Sequence, residues 1–219
     1  MRHPLDQLYA GRPVFVLSTG TSLRGFDFKR LDGRITVGVN RIVEHYHPTV
    51  MTFVDVTAHK THARALAGYN GMIIAGDGAA PHDTHDNVFE VVHNLDGRMA
   101  PTRRVGHSFA DGWYGGGGGC VALHTAILLG GNPIYLLGYD FYEDNGRHFD
   151  TYDPTLNETE LTGLAYTVAF RCLEQLSQEE WLPPIYNCNP RSRLRCFPFA
   201  DIDAVLADGP ELASASGSR

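Results

Sequence analysis

Residues 115–142 read GGGGGCVALHTAILLGGNPIYLLGYDFY, and this stretch decides the fold. Five consecutive glycines are costly to order, because each surrenders more backbone freedom than any other residue. They stand directly before CVALHTAILLGG (120–131), which has helical character and a Gly-Gly stop at 130–131. PIYLLG (133–138) follows as a short apolar run of the kind a fully buried strand shows. A helix starting near Cys120 projects free N–H groups and a partial positive charge toward its N-terminal side. Glycines there let a phosphate or a sugar carboxylate approach the main chain with no Cβ in the way. The plainer alternative is a hinge joining the preceding segment to the core, and the two readings are compatible.

Working outward, the same alternation recurs. VFVLS (14–18), ITVGVN (35–40), TVMTFVD (49–55), GMIIAG (71–76), FEVVHNL (89–95) and IYNC (185–188) read as further strands. Residues 19–33, 41–47, 57–67, 158–178 and 201–207 read as turns and helices between or after them. In 158–178, Leu161, Leu164, Ala165, Val168, Leu173 and Leu176 fall at the spacing of one buried helical stripe. The expectation is an α/β fold: a Rossmann-like, mostly parallel sheet with helices on both faces, in a single domain over 1–208. Residues 96–119 lack a clear period and read as a mobile or functional loop, and 209–219 as a disordered tail. Sheets of this kind bind ligands beyond the carboxyl ends of their strands.

The totals narrow the class. No apolar stretch nears the roughly 20 residues of a membrane span, and the first residues carry no apolar signal core. A cytoplasmic protein is expected. Cys120, Cys172, Cys188 and Cys196 form no C-x-x-C pair, so neither a zinc site nor a disulfide framework is expected. The net charge of −7 disfavours a broad DNA-backbone footprint, although Arg191, Arg193 and Arg195 cluster, as do Arg103 and Arg104. A homo-oligomer is compatible with all of this.

Several strand ends carry candidate site residues. S-T-G-T-S (18–22) is neither a Walker loop nor a dinucleotide fingerprint. Its glycine, N–H groups and hydroxyls at Thr19, Gly20, Thr21 and Ser22 still suit a phosphate or sugar oxygen. Asn40 offers a donor and an acceptor for a nucleobase edge or ribose; the bland role is a left-handed turn residue. Asp55 suits a ribose hydroxyl, a metal or a helix N-cap. Gly117, Gly118 and Gly119 open the helix start. In GYDFYEDNGRHFD (138–150), Asp140 suits a sugar hydroxyl or a base, Tyr142 a leaving phosphate, and His148 a general base. His107 is a weaker candidate of the same type.

Four of these stretches, in this order, resemble the nucleotide-binding core of the bacterial lipooligosaccharide sialyltransferases. The resemblance extends to flagellin-modifying Maf proteins, 6-hydroxymethylpterin diphosphokinases and phage-encoded relatives. The stretches are VFVLSTGTSLRGFDFKRL (14–31), ITVGVNR (35–41), GGGCVALHTAILLGGNPIYLLGYDFY (117–142) and IYNCNPRSRLRCFPFADI (185–202). The resemblance implies nucleotide contacts at Thr19, Gly20, Asn40, Asp55, Gly118, Gly119 and Tyr142. It also implies a nucleotide-sugar donor and an inverting, metal-independent transfer. The chain departs from the pattern at Thr19 and Thr21, where Asn and Pro are usual, and at Gly117 to Gly119, where Thr-Ser-Gly is usual. Residues 157–160 are Asn-Glu-Thr-Glu where those sialyltransferases carry a base histidine.

The expected function is a glycosyltransferase using a CMP- or UDP-type sugar as substrate, with no cofactor. Its acceptor would be a glycan or other hydroxyl, with a modified base in phage DNA as an alternative. A magnesium-dependent pterin-type diphosphokinase is the rival enzyme, with Asp55, Asp77 and Asp140 as candidate metal carboxylates. A nucleotide-binding module without catalysis is the third reading.

Overall fold

The computed structural model describes residues 3–76, 78–79, 85–93, 105–141 and 159–207. Seven strands form one sheet: β1 (Val14–Leu17), β2 (Ile35–Val39), β3 (Val50–Phe53), β4 (Met72–Gly76), β5 (Val88–Val91), β6 (Ile134–Leu137) and β7 (Ile185–Asn187). Their order is β5-β4-β3-β2-β1-β6-β7, and every neighbouring pair is parallel. This is a Rossmann-like α/β fold, and its sheet is more uniformly parallel than the mostly parallel one expected. The chain runs outward from β1 to β5, then returns to place β6 on the other side of β1. The strand order therefore reverses between β1 and β6, which is where such sheets open a crevice at their carboxyl ends.

Alternating side chains sort the core into two faces. Val14 and Val16 pack with Val37, Val39, Val50 and Ile74 on one face. Phe15, Leu17 and Leu137 pack on the other face with Leu31 and Ile42, while Met51, Phe53, Ile73 and Ala75 form a neighbouring cluster with Leu66 and Tyr69. The helices are α1 (Val56–Thr61), α2 (Ala63–Leu66), α3 (Gly118–Leu128), α4 (Thr159–Leu176) and α5 (Ile202–Ala207). The helix expected over 57–67 is thus two short pieces, broken at His62, whose φ of −102° and ψ of 12° leave the helical basin. Residues 21–23, 28–31 and 40–44 are single 3₁₀ turns rather than α-helices.

Helix α3 has no solvent face, since Cys120 to Leu128 are all buried. It crosses β1, β2, β3 and β6 and is covered by α4. On α4, Cys172, Leu173 and Leu176 bury the end of the expected stripe. In the described part of segment 96–119, Val105, Phe109, Trp113 and Tyr114 are buried, while His107, Ala110 and Asp111 are exposed. His124 on α3 explains why. Its Nδ1 accepts the Tyr114 N–H at 2.9 Å and its Nε2 faces Gly106 O at 3.0 Å, so one neutral imidazole ties both ends of 106–114 to the helix. Asp6 holds the same segment from outside, accepting from the Ser108 hydroxyl and the Phe109 N–H. The sequence shows no period there because the segment is fixed by particular side chains rather than by a repeating ladder.

Candidate functional site

Because all seven strands are parallel, residues 18–22, 40, 138–141 and 188–195 leave the sheet on one rim. The first turn of α3 lies on that same rim, and glycine at 118 is what allows it. A Cβ there would overlap Val39 Cγ2 and stand 3.3 Å from Asn40 Nδ2. A Cβ at Gly119 would lie 3.5 Å from Ser18 Oγ and 3.4 Å from the Tyr139 ring. The Tyr139 hydroxyl donates to Gly119 O at 2.6 Å. The start of α3 therefore touches the ends of β2 (Val39, Asn40), β1 (Ser18) and β6 (Tyr139).

The helix start is open chemically as well as sterically. Gly117, at φ +100°, is the N-cap and supplies no side-chain cap. The first-turn N–H groups of an uncapped helix need acceptors from elsewhere. Beside them Asn40 sits at φ +50°, a left-handed conformation Asn tolerates better than most residues. Its Oδ1 is buried without a hydrogen-bond partner among the described residues. Buried polar atoms are rarely left unpaired, so this one is a position where a ligand donor fits. Beneath the run, the Gly116 N–H points at Cys172 Sγ at 3.4 Å. The neighbouring Cys120 thiol lowers the Cys172 thiol to about 7. His93 Nε2 meets Gly115 O at 2.8 Å, and burial pushes its imidazole below the ordinary value.

Asp140 is the hub of the rim. Its carboxylate accepts from Thr21 Oγ1 (3.3 Å), the Ser22 N–H (2.7 Å), the Ser22 hydroxyl and Asn189 Nδ2 (2.8 Å). It is 3% exposed. These four donors saturate the two oxygens, so the group positions the β1 turn against the end of β6. Gly20 completes that contact: its N–H donates to Gly138 O at 3.0 Å, and a Cβ there would stand 2.6 Å from Asp140 Cγ. From the far side, Asn187 Nδ2 and the Ser192 hydroxyl both donate to Tyr139 O, and the Arg193 N–H donates to Asp140 O. The Asn-Pro-x-Ser-x-Leu segment is thus a clamp on Tyr139 and Asp140.

The rim gathers Thr19, Gly20, Thr21, Ser22, Asn40, Gly117, Gly118, Gly119 and Asp140. Asp55 ends the next strand outward and caps α1, its Oδ1 accepting the Ala58 N–H at 2.8 Å. Tyr142, His148, Asp77, Arg103 and Arg104 lie outside the described residues. His107 is away from the rim's donors and packs on Trp181, ring centroids 4.2 Å apart. Ser18 lies in the quoted S-T-G-T-S turn, and Asn189 and Ser192 in the closing stretch that carries the resemblance, but the sequence assigns none of the three a role of its own. The Asn-x-Asn-x-x-Ser spacing after an apolar strand is the available signal, since such side chains hold local backbone turns. Among the described residues no group of three His, Cys, Asp or Glu side chains could hold a metal ion. No helix among them is long and apolar enough to cross a membrane.

An open groove of about 850 Å³ lies at the opposite end of the strands, between Tyr9, Arg12, Asp32, Arg34, Glu44 and His47. It shares no residue with the rim.

No family model matches the chain, and no curated protein matches it in sequence. Its fold is similar to that of the sialyltransferase CstII from Campylobacter jejuni, solved in complex with a substrate analogue, cytidine-5'-monophosphate. That likeness has a TM-score of 0.53 at 15% identity, over 87% of this chain and 85% of that one. A single-residue variant of the same enzyme, in complex with CMP, aligns with a TM-score of 0.49 at 14% identity, over 86% and 85% of the two chains.

Proposed function

We propose that the protein is a glycosyltransferase whose donor is a nucleotide sugar of the CMP or UDP type. The observation that carries this reading is the meeting, at the strand-order reversal, of an uncapped glycine helix start with the unpaired Asn40 Oδ1. The bound CMP of the structurally similar sialyltransferase is in keeping with it. In this reading the donor phosphate rests on the main-chain N–H groups of Gly118 and Gly119. Those dipoles stabilise the charge that develops as the nucleotide leaves. Asn40 Oδ1 accepts from the base or ribose. The transfer is inverting and needs no metal, because fixed main-chain donors take the role a cation would have. We assign acceptor deprotonation to His148 rather than Asp140, whose oxygens are already engaged.

A thermal-shift screen against CMP, UDP, GDP, ADP and ATP, with and without magnesium, tests the reading, since a ligand that binds only the folded state raises its stability by mass action. A metal-independent shift with CMP or UDP is expected. A shift confined to ATP with magnesium would replace the reading with phosphoryl transfer. Asn40→Gly keeps the left-handed backbone and removes the amide. It is expected to weaken nucleotide binding about tenfold, the worth of one buried hydrogen bond.

A further inference from the structure

The start of α3 is flanked by the ends of two strands, and each end presents one uncommitted side-chain group. On the β2 side, a Cβ at Gly118 would stand 3.3 Å from Asn40 Nδ2, and Asn40 Oδ1 has no partner among the described residues. On the β1 side, a Cβ at Gly119 would stand 3.5 Å from Ser18 Oγ. Ser18 is half-buried, and its hydroxyl makes no hydrogen bond among the described residues. The Thr21 and Ser22 hydroxyls further along the same turn are both spent on Asp140. A serine hydroxyl can always turn back onto a nearby main-chain group. This one instead stays free, beside a glycine that opens the helix.

Both walls of the gap are fixed. The Ser18 N–H donates to Leu137 O at 2.9 Å, which ties the end of β1 to β6. Across from it, the Tyr139 hydroxyl donates to Gly119 O at 2.6 Å and holds the first turn of α3. A free hydroxyl on one fixed element therefore stands beside free N–H groups on another. All of these groups can donate, and a phosphate offers acceptor oxygens in several directions at once.

We propose that Ser18 is a side-chain ligand of the donor's phosphate, its Oγ–H donating to an oxygen beside those that the Gly118 and Gly119 N–H groups hold. This deepens the glycosyl-transfer reading and rests on it. A hydrogen bond to a charged oxygen is roughly twice as strong as one between neutral groups, and it strengthens as charge builds on the departing nucleotide. Asn40, on the β2 side, is left for the base or ribose. Each side of the helix start thus takes its own part of the donor.

The test separates phosphate from nucleoside. CMP and cytidine, and UDP and uridine, are titrated calorimetrically into the parent and into Ser18→Ala, which removes one oxygen atom and no carbon. The parent is expected to bind CMP or UDP more tightly than the matching nucleoside. Ser18→Ala is expected to weaken that nucleotide about tenfold or more, while nucleoside affinity stays within about twofold. Equal nucleotide affinity in parent and variant would overturn the proposal. Equal weakening of nucleotide and nucleoside would overturn it too, since the hydroxyl would then serve the base, the ribose or the fold. A parent that binds neither CMP nor UDP would sink the nucleotide-sugar reading itself, and this assignment with it.

Discussion

At the scale of single residues, Asp140 shows how a carboxylate can look catalytic in sequence and act as a strut. A strand-end Asp among tyrosines matches a base or a sugar ligand equally well. Only the folded chain reveals that Thr21, Ser22 and Asn189, up to 119 positions away, spend their donors on it. Asp140→Asn keeps the shape but turns an amide N–H₂ toward those donors. It is expected to cost about 2–3 kcal/mol, the penalty for hydrogen bonds lost by a buried charged acceptor. Urea unfolding of the variant checks this. An unchanged midpoint together with abolished turnover would return Asp140 to the role of base. His148 is tested in the opposite sense. His148→Ala is expected to lower turnover by about a hundredfold or more, the usual contribution of a general base, while CMP affinity stays within about twofold.

At the scale of elements, α3 sets the site because it is the one helix buried on every side among those described. Its apolar run is plain in the sequence, and so are β1, β2 and β6, whose short apolar stretches admit few other readings. The start of the helix is less plain, because it begins at Gly118 inside the glycine run, two residues before the first side chain. The clamp of Asn187, Asn189 and Ser192 is legible only as resemblance, since its partners are distant in sequence. The 96–119 stretch reads as a mobile or functional loop in sequence because its described part is held by Trp113, Tyr114 and His124 without any period. Gly118→Ala tests the close approach of α3 to β2. The added methyl meets Val39 and the Asn40 amide, a clash expected to cost about 1–3 kcal/mol, partly offset by about 1 kcal/mol of helix propensity. Val39→Ala in the same chain makes room for that methyl. A double-mutant cycle in urea should therefore give a favourable coupling, and additive losses would mean that the helix start simply shifts.

At the scale of the whole molecule, the fold is closed on one side of the sheet by neutral imidazoles. His124 is fully buried, and that burial pulls its pKa from 6.5 to about 4, although its bond to Gly106 O works in the opposite direction. Burial lowers His93 as well, where the ring meets Gly115 O. Between about pH 4 and 6.5 the unfolded chain binds a proton at position 124 that the folded chain refuses. The unfolded state holds more protons across that window, so stability rises with pH through it. The contribution of His124 is complete above about pH 6.5 and is lost as pH falls toward 4. The gap of about 2.5 units corresponds to about 3 kcal/mol. Equilibrium urea curves at about pH 7.5, 5.5 and 4.5 should show the midpoint falling steadily with acid. His124→Gln removes the titration whatever its own cost in stability, so the test lies in the slope against pH rather than in the midpoint. A parent and variant with parallel pH profiles would show that the ring gains its proton without opening the 105–114 segment. Profiles that diverge below about pH 6.5 would tie the integrity of the glycine-rich helix start to one uncharged ring.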